Sequence, residues 1–216
     1  MTTTAPIDKT EALRAVYLTA EDLRVAASIL YNAYHDDPLF VDVMHSGDQV
    51  QYEKKLRGAI REELNSLWQQ EQVLIGLFDG ERLIGVACIA TEQLPLGEAR
   101  LWNWRLKMLV SAGWQTTQAL MNKERSILEH LPSAHSGVLQ FIAINPIEQG
   151  KGYGNRLVQA VISWSEEQPE LAGIGVFAAN DNHAKLFSRH DFAQLERLTI
   201  GNVEGDLLFY RGHSND

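Results

Sequence analysis

Cysteine is almost absent: Cys88 is the only one in 216 residues. A single thiol forms no internal disulfide and no cysteine-based zinc site. Cys88 stands in the apolar run from Ile84 to Ala90, where a buried, inert thiol is expected rather than a nucleophile. Positive charge is also scarce, with 19 Lys and Arg against 28 Asp and Glu and a net charge of −9. That balance argues against general binding to nucleic acid or to a membrane surface, and it favours a cationic ligand, such as an amine, electrostatically. No apolar run is long enough to span a bilayer, and Met1 to Pro6 lacks the charged and apolar regions of a signal peptide. A cytoplasmic protein is the expectation. Internal repeats, low-complexity segments and long linkers are missing too. The chain is therefore read as one domain over residues 13–212, behind a flexible segment at 1–12.

What is present is one organised stretch from Leu139 to Val158. Apolar and β-branched residues from Val138 to Ile144 predict a strand covered on both faces. Asn145-Pro146 ends it, because proline lacks the ladder N–H and restricts the residue before it. Gly150, Gly152 and Gly154 follow, and then Leu157, Val158, Val161 and Ile162 recur at helical spacing. A glycine turn into a helix N-terminus is an anion site: the first N–H groups lack partners, and the dipole adds positive charge there. Lys151 and Arg156 add mobile positive charge. The ligand should carry a phosphate or pyrophosphate. A Walker loop would need Ser or Thr after Lys151, where Gly152 stands. A Rossmann fingerprint would need glycine at 155, where Asn155 stands.

The remaining chain reads in order as follows. Arg14 to Leu18 is a strand, and Thr19 caps a helix whose apolar face runs from Leu23 to Tyr34. His35 to Pro38 breaks that helix, and a short turn with Leu39, Phe40, Val43 and Met44 follows. Asp48 to Gln70 is a long helix. Val73 to Phe78 and Arg82 to Ala90 form a hairpin around Asp79-Gly80. Glu98 to Val110 and Trp114 to His130 read as two helices ahead of the central strand, with their Trp and Leu residues covering core. The helix after the glycines lasts to Glu167. Leu171 to Ala178 is a strand and Asn180 to His190 a short helix. Phe192 to Ile200 and Asp206 to Arg211 make a terminal hairpin.

The spacing Gln149-x-x-Gly152-x-Gly154 after a strand resembles the acetyl-CoA pyrophosphate loop of the GNAT acyltransferase superfamily. Asn180 to Phe192 resembles a second GNAT segment, matching at Asn180, Leu186, Arg189 and Phe192. With His35 to Pro38 and the helical insert, the whole chain resembles the GNAT subfamily that includes puromycin-type N-acetyltransferases. The resemblance implies an α/β (α+β) GNAT fold: a mixed, mostly antiparallel sheet flanked by helices, with a helical insert before the central strand. It implies acetyl-CoA as cosubstrate and direct attack by a primary amine of a small molecule or peptide. The protein would be a monomer or homodimer, with no metal.

The resemblance also implies site residues. Ile142, Ala143, Ile144, Gln149, Gly150, Lys151, Gly152, Tyr153, Gly154, Asn155, Asn180 and Phe187 would hold the cofactor. The fourth and fifth strands would splay, so that main-chain groups of Ile142 and Ile144 face the pantetheine. The Ile144 N–H would polarise the thioester carbonyl, and Gln140 would orient substrate or water. Two departures stand out. Phe187 replaces the tyrosine that often protonates the leaving thiolate, and a phenyl ring donates no proton. Asp191 replaces the usual glycine before Phe192. No carboxylate base stands in Gly173 to Phe177. Substitute groups are Tyr153, His183 and His135, while Asp36, Asp37 and Glu92 border the expected acceptor site. The alternative is a CoA-binding module of the same fold that has lost turnover.

Overall fold

The computed structural model describes residues 13–44, 47–91 and 114–212. The expected flexible segment at 1–12, the helix over 98–110 and Glu92 lie outside the described residues. The elements are β1 (Arg14–Tyr17), α1 (Leu23–Tyr34), α2 (Pro38–Met44), α3 (Gln49–Gln69), β2 (Val73–Asp79) and β3 (Arg82–Thr91). Then come α4 (Trp114–Glu129), β4 (Ser136–Ile144), a 3₁₀ turn (Pro146–Glu148) and α5 (Tyr153–Glu166). The chain closes with β5 (Gly173–Ala178), α6 (Asp181–Ser188), β6 (Ala193–Ile200) and β7 (Val203–Arg211). No described helix is long and apolar enough to cross a membrane.

The strands form one seven-stranded sheet in the order β1-β2-β3-β4-β5-β7-β6. All neighbours are antiparallel except β4 and β5. The β2–β3 hairpin closes on the Asp79–Arg82 pair, with Gly80 at φ +62° as the first turn residue. Helices cover both faces. Leu30, Leu56, Ile60 and Leu64 pack with Phe141 and Ala143 on one side. Leu157, Val158, Val161 and Trp164 pack with Leu139 and Ile144 on the other. Leu139 and Phe141 thus face opposite ways although two apart, which a regular strand forbids. The β3–β4 register explains this: Cys88 pairs with Phe141 and Ile89 with Leu139, leaving Gln140 as an extra residue in a bulge.

Three sequence expectations are corrected. The segment after Pro38 is a helix, not a turn, because the Asp37 Oδ1 accepts from the Leu39 and Phe40 N–H groups (3.0 and 3.3 Å). An N-cap aspartate followed by proline at the first helical position starts a helix well. The first helix begins at Leu23, later than a Thr19 cap would place it, because the Thr19 hydroxyl donates to Asp22 (2.7 Å) instead of capping. The terminal hairpin is tighter than Gly201 to Gly205. Ile200 pairs with Val203, and Gly201 adopts φ +63° beside Asp42, whose carboxylate accepts from the Asn202 N–H (3.1 Å).

Candidate active site

β4 and β5 pair only at Ser136–Gly173, Gly137–Ile174 and Val138–Gly175. Beyond that point their pairing stops, so two inner strands of an open sheet leave a gap. The gap opens into a cleft of about 420 Å³ beside the start of α5. Ile142, Ala143 and Ile144 line one wall, and Val176, Ala178 and Asn180 line the other. Gln140, the bulged residue, lines it as well.

The strand's own ladder decides which main-chain groups meet the gap. Asn145 N–H donates to the Ile84 oxygen at 2.8 Å. In this antiparallel register, residues 143 and 145 therefore turn their N–H toward β3, while 142 and 144 turn theirs toward the gap. Gln149 Nε2 donates to the Ile144 carbonyl at 3.1 Å, which fixes the end of β4 against the glycine loop.

The loop itself is open. Gly150 and Gly152 have φ of +78° and +84°, and a Cβ at either would meet nothing within 4 Å. Left-handed backbone at both positions is the reason glycine is needed there. Gly154 is the second residue of α5, and its Cβ would approach only Leu186, at 3.6 Å. Gly150, Tyr153 and Gly154 line the cleft, while Lys151, Gly152 and Asn155 do not. Asn155 Oδ1 instead meets His190 Nε2 at 3.0 Å, tying the start of α5 to the residues after α6.

Lys151 is not the mobile cation expected from the sequence. Its Nζ lies 2.6 Å from Glu148 Oε2, and Arg82 reaches the other oxygen at 2.6 Å. The Glu148 side chain is 5% exposed, and Lys151 first, with Arg82, holds its carboxyl below the usual carboxylate range against the effect of burial. A buried carboxylate needs such partners, which is why the lysine is tied down.

Asn180 caps α6, its Oδ1 accepting from the Asn182 and His183 N–H groups (2.9 and 3.0 Å). Phe187 is 2% exposed, lines the cleft and packs on Phe192 at 5.1 Å between ring centroids. Asp191 has φ +62°, so the left-handed turn of the glycine it replaces is retained. Asp36, Asp37 and His183 line the cleft, but His135 does not. Asp36 is almost fully exposed and meets His35 Nδ1 at 2.7 Å. Cys88 is buried, and burial pushes its thiol well above the ordinary range.

Sequence reasoning missed two cleft residues. Tyr34 was read as part of an apolar helix face, yet its hydroxyl accepts from the Ile142 N–H (3.1 Å) and donates to the Ile142 carbonyl (3.3 Å). Glu148 was passed over, although a carboxylate three residues before Lys151 was a usable signal. Charged groups in the cleft wall are thus acidic, while the glycine loop presents helix-start N–H groups.

Residues 40–192 match the model of the Acetyltransferase (GNAT) family. No curated protein matches the chain by sequence. Among solved structures, the chain is similar to the histone acetyltransferase HPA2 and related acetyltransferase from Corynebacterium glutamicum. The TM-score is 0.68 at 17% identity, over 93% of this chain and 97% of that one. It is similar to the Drosophila melanogaster polyamine N-acetyltransferase, which catalyses formation of N-acetylagmatine. There the TM-score is 0.60 at 11% identity, over 93% and 100% of the two chains. It is similar also to aminoglycoside acetyltransferase AAC(6')-Ib in complex with coenzyme A, with TM-score 0.52 at 15% identity, over 93% and 95%. At these identities the structures share a fold with the chain.

Proposed function

The chain belongs to the Acetyltransferase (GNAT) family, and from that premise we propose that it transfers the acetyl group of acetyl-CoA to a primary amine of a small molecule or peptide. The observation that carries this is the strand gap opening beside the glycine loop, which gives a thioester arm a channel and a pyrophosphate a helix start. In this reading the pyrophosphate meets the N–H groups of Gly150 to Gly154. The pantetheine enters along Ile144, and the acetyl carbonyl lies between the gap-facing main chain of Ile144 and Ile142, with Gln140 further along the same wall. The amine gives up a proton to water to become a neutral nucleophile, its nitrogen adds to the carbonyl carbon, the oxygen takes up negative charge, and the C–S bond breaks to release CoA thiolate. The Ile144 N–H faces the gap and is the backbone donor for that oxygen.

Among the described residues, Asp36 and Asp37, just after α1, line the cleft and no Lys or Arg does, which supports a cationic amine as acceptor. The polyamine enzyme named above acts on such a molecule, and the likeness of the two folds makes agmatine and polyamines reasonable first acceptors to try. The puromycin-type subfamily resemblance adds bulkier amines to the panel. Release of free thiol from acetyl-CoA, followed across that panel, tests the proposal. Acceptor-dependent release with an acetylated product supports it. A protein that binds acetyl-CoA and turns over none of the panel favours the second reading, a CoA-binding module, for which the buried phenyl ring of Phe187 is the motivating observation.

A further inference from the structure

Resting on that reading of the site, we propose that Tyr34 is a catalytic residue: its hydroxyl donates a hydrogen bond to the thioester carbonyl oxygen as it becomes an oxyanion, beside the Ile144 N–H. Tyr34 is the last residue of α1 and comes from a part of the chain that carries none of the cofactor-loop residues. Its hydroxyl reaches across to β4, where it meets both main-chain groups of Ile142. Ile142 is two residues beyond Ile144, counting away from the glycine loop. A thioester arm entering from that loop passes Ile144 and arrives at the Tyr34 hydroxyl.

The two hydrogen bonds are unequal in a way that suits a donor. Accepting the Ile142 N–H at 3.1 Å fixes the oxygen in place. The return bond to the Ile142 carbonyl is 3.3 Å, long for a hydroxyl donor, whose usual distance is about 2.7–2.8 Å. A phenol has one proton and two lone pairs, so it can keep the N–H contact and swing the proton to a better acceptor. A developing oxyanion is that acceptor, because charge-assisted hydrogen bonds are shorter and stronger than neutral ones. The ring cannot drift: it sits edge-on against Phe40 and Phe141, with centroids 5.6 and 5.4 Å away. Both Tyr34 and Ile142 line the cleft.

The proton stays on Tyr34 throughout. Burial, opposed by the Ile142 hydrogen bond and reinforced by Asp37 and Cys88, pushes the phenol far above its ordinary range. The hydroxyl is therefore a fixed dipole, as an oxyanion donor should be, rather than an acid. The step balances without it: the amine gains the acetyl carbon, CoA leaves as thiolate, and the surplus amine proton passes to water. This donor acts on the carbonyl and leaves untouched the question of what protonates the thiolate opposite Phe187.

Infrared difference spectra of bound acetyl-CoA, carbon-13 labelled at the carbonyl, test the proposal without any acceptor. In the native protein the bound carbonyl stretch should fall to lower frequency than in water. Tyr34→Phe should reverse part of that fall, leave CoA affinity nearly unchanged by calorimetry, and lower kcat by about 10²-fold with little change in KM for acetyl-CoA. Replacing Tyr34 with 3-fluorotyrosine, a stronger donor of nearly the same shape, should deepen the fall. Equal carbonyl frequencies in all three proteins would overturn the proposal and leave Tyr34 as a structural tie between α1 and β4. Failure of the native protein to bind acetyl-CoA would instead reject the site reading on which it rests.

Discussion

Lys151 Nζ sits 2.6 Å from the nearly buried carboxylate of Glu148. The one lysine inside the glycine loop is thereby part of the loop's own framework. Arg82, from the β2–β3 hairpin, holds the other carboxylate oxygen at 2.6 Å and also meets Asp79 at 3.3 Å. The loop is thus pinned to the neighbouring hairpin through Glu148, and Lys151 is held in that network.

That pinning should show in the acid stability of the protein. Glu148 has a depressed pKa when folded, so its contribution is fully present above its unfolded value and is lost as pH falls through the folded one. Melting temperature followed from about pH 7 to about pH 3 should fall more steeply in the native protein than in Glu148→Gln. The two curves should differ most at neutral pH and converge in acid. Parallel curves would mean that the Glu148 ion pairs add nothing to folding.

Phe187 lines the cleft, and in the proposed reading it stands where a tyrosine would protonate the departing thiolate. Phe187→Tyr should raise kcat for acetyl transfer, by up to about 10²-fold if proton donation limits turnover. KM for acetyl-CoA should change little. An unchanged kcat in an active native protein would show that thiolate release needs no donor at this position.

Asp191 holds a left-handed φ of +62°, and the Phe192 N–H reaches back to the Phe187 carbonyl at 3.3 Å. This is the turn that stops α6 and carries the chain into β6. A side chain in that region is strained, so Asp191→Gly should stabilise the fold by about 1 kcal/mol. Thermal unfolding should rise by roughly 2–4 °C for a chain of this size. A lower melting temperature would show that the Asp191 carboxylate makes a compensating interaction.

How far the sequence revealed this architecture depends on the range of the forces involved. The glycine loop was legible because its signals are local: a proline after a strand, three alternating glycines, and helical spacing behind them. Most of the element order was legible for the same reason, apart from the helix after Pro38, and the hairpin turned one residue on from Asp79-Gly80, at Gly80-Glu81. The strand gap was legible only through family resemblance, since nothing in Ser136 to Ile144 says that pairing with β5 stops after Val138. The bulge at Gln140 depends on register with β3, a contact no single strand specifies. The Tyr34–Ile142 contact joins residues 108 apart. On an amphipathic helix a tyrosine at an apolar position looks like packing until the strand it faces is known.

Calorimetric titration with CoA and acetyl-CoA of the native protein and of Gly154→Leu tests the central claim most directly. Gly154 is the better probe than Gly152, whose φ of +84° would strain any side chain. At Gly154 an added Cβ meets only Leu186, at 3.6 Å, so a side chain starts there without a clash and places bulk in the cleft, and a native-like melting temperature of the variant checks that it folds. The account predicts micromolar binding of both ligands to the native protein and at least about tenfold weaker binding to the variant, a loss of about 1.4 kcal/mol. Equal affinity in the two proteins, or no binding to a folded native protein, would contradict the assignment of the glycine loop and strand gap as the acetyl-CoA site.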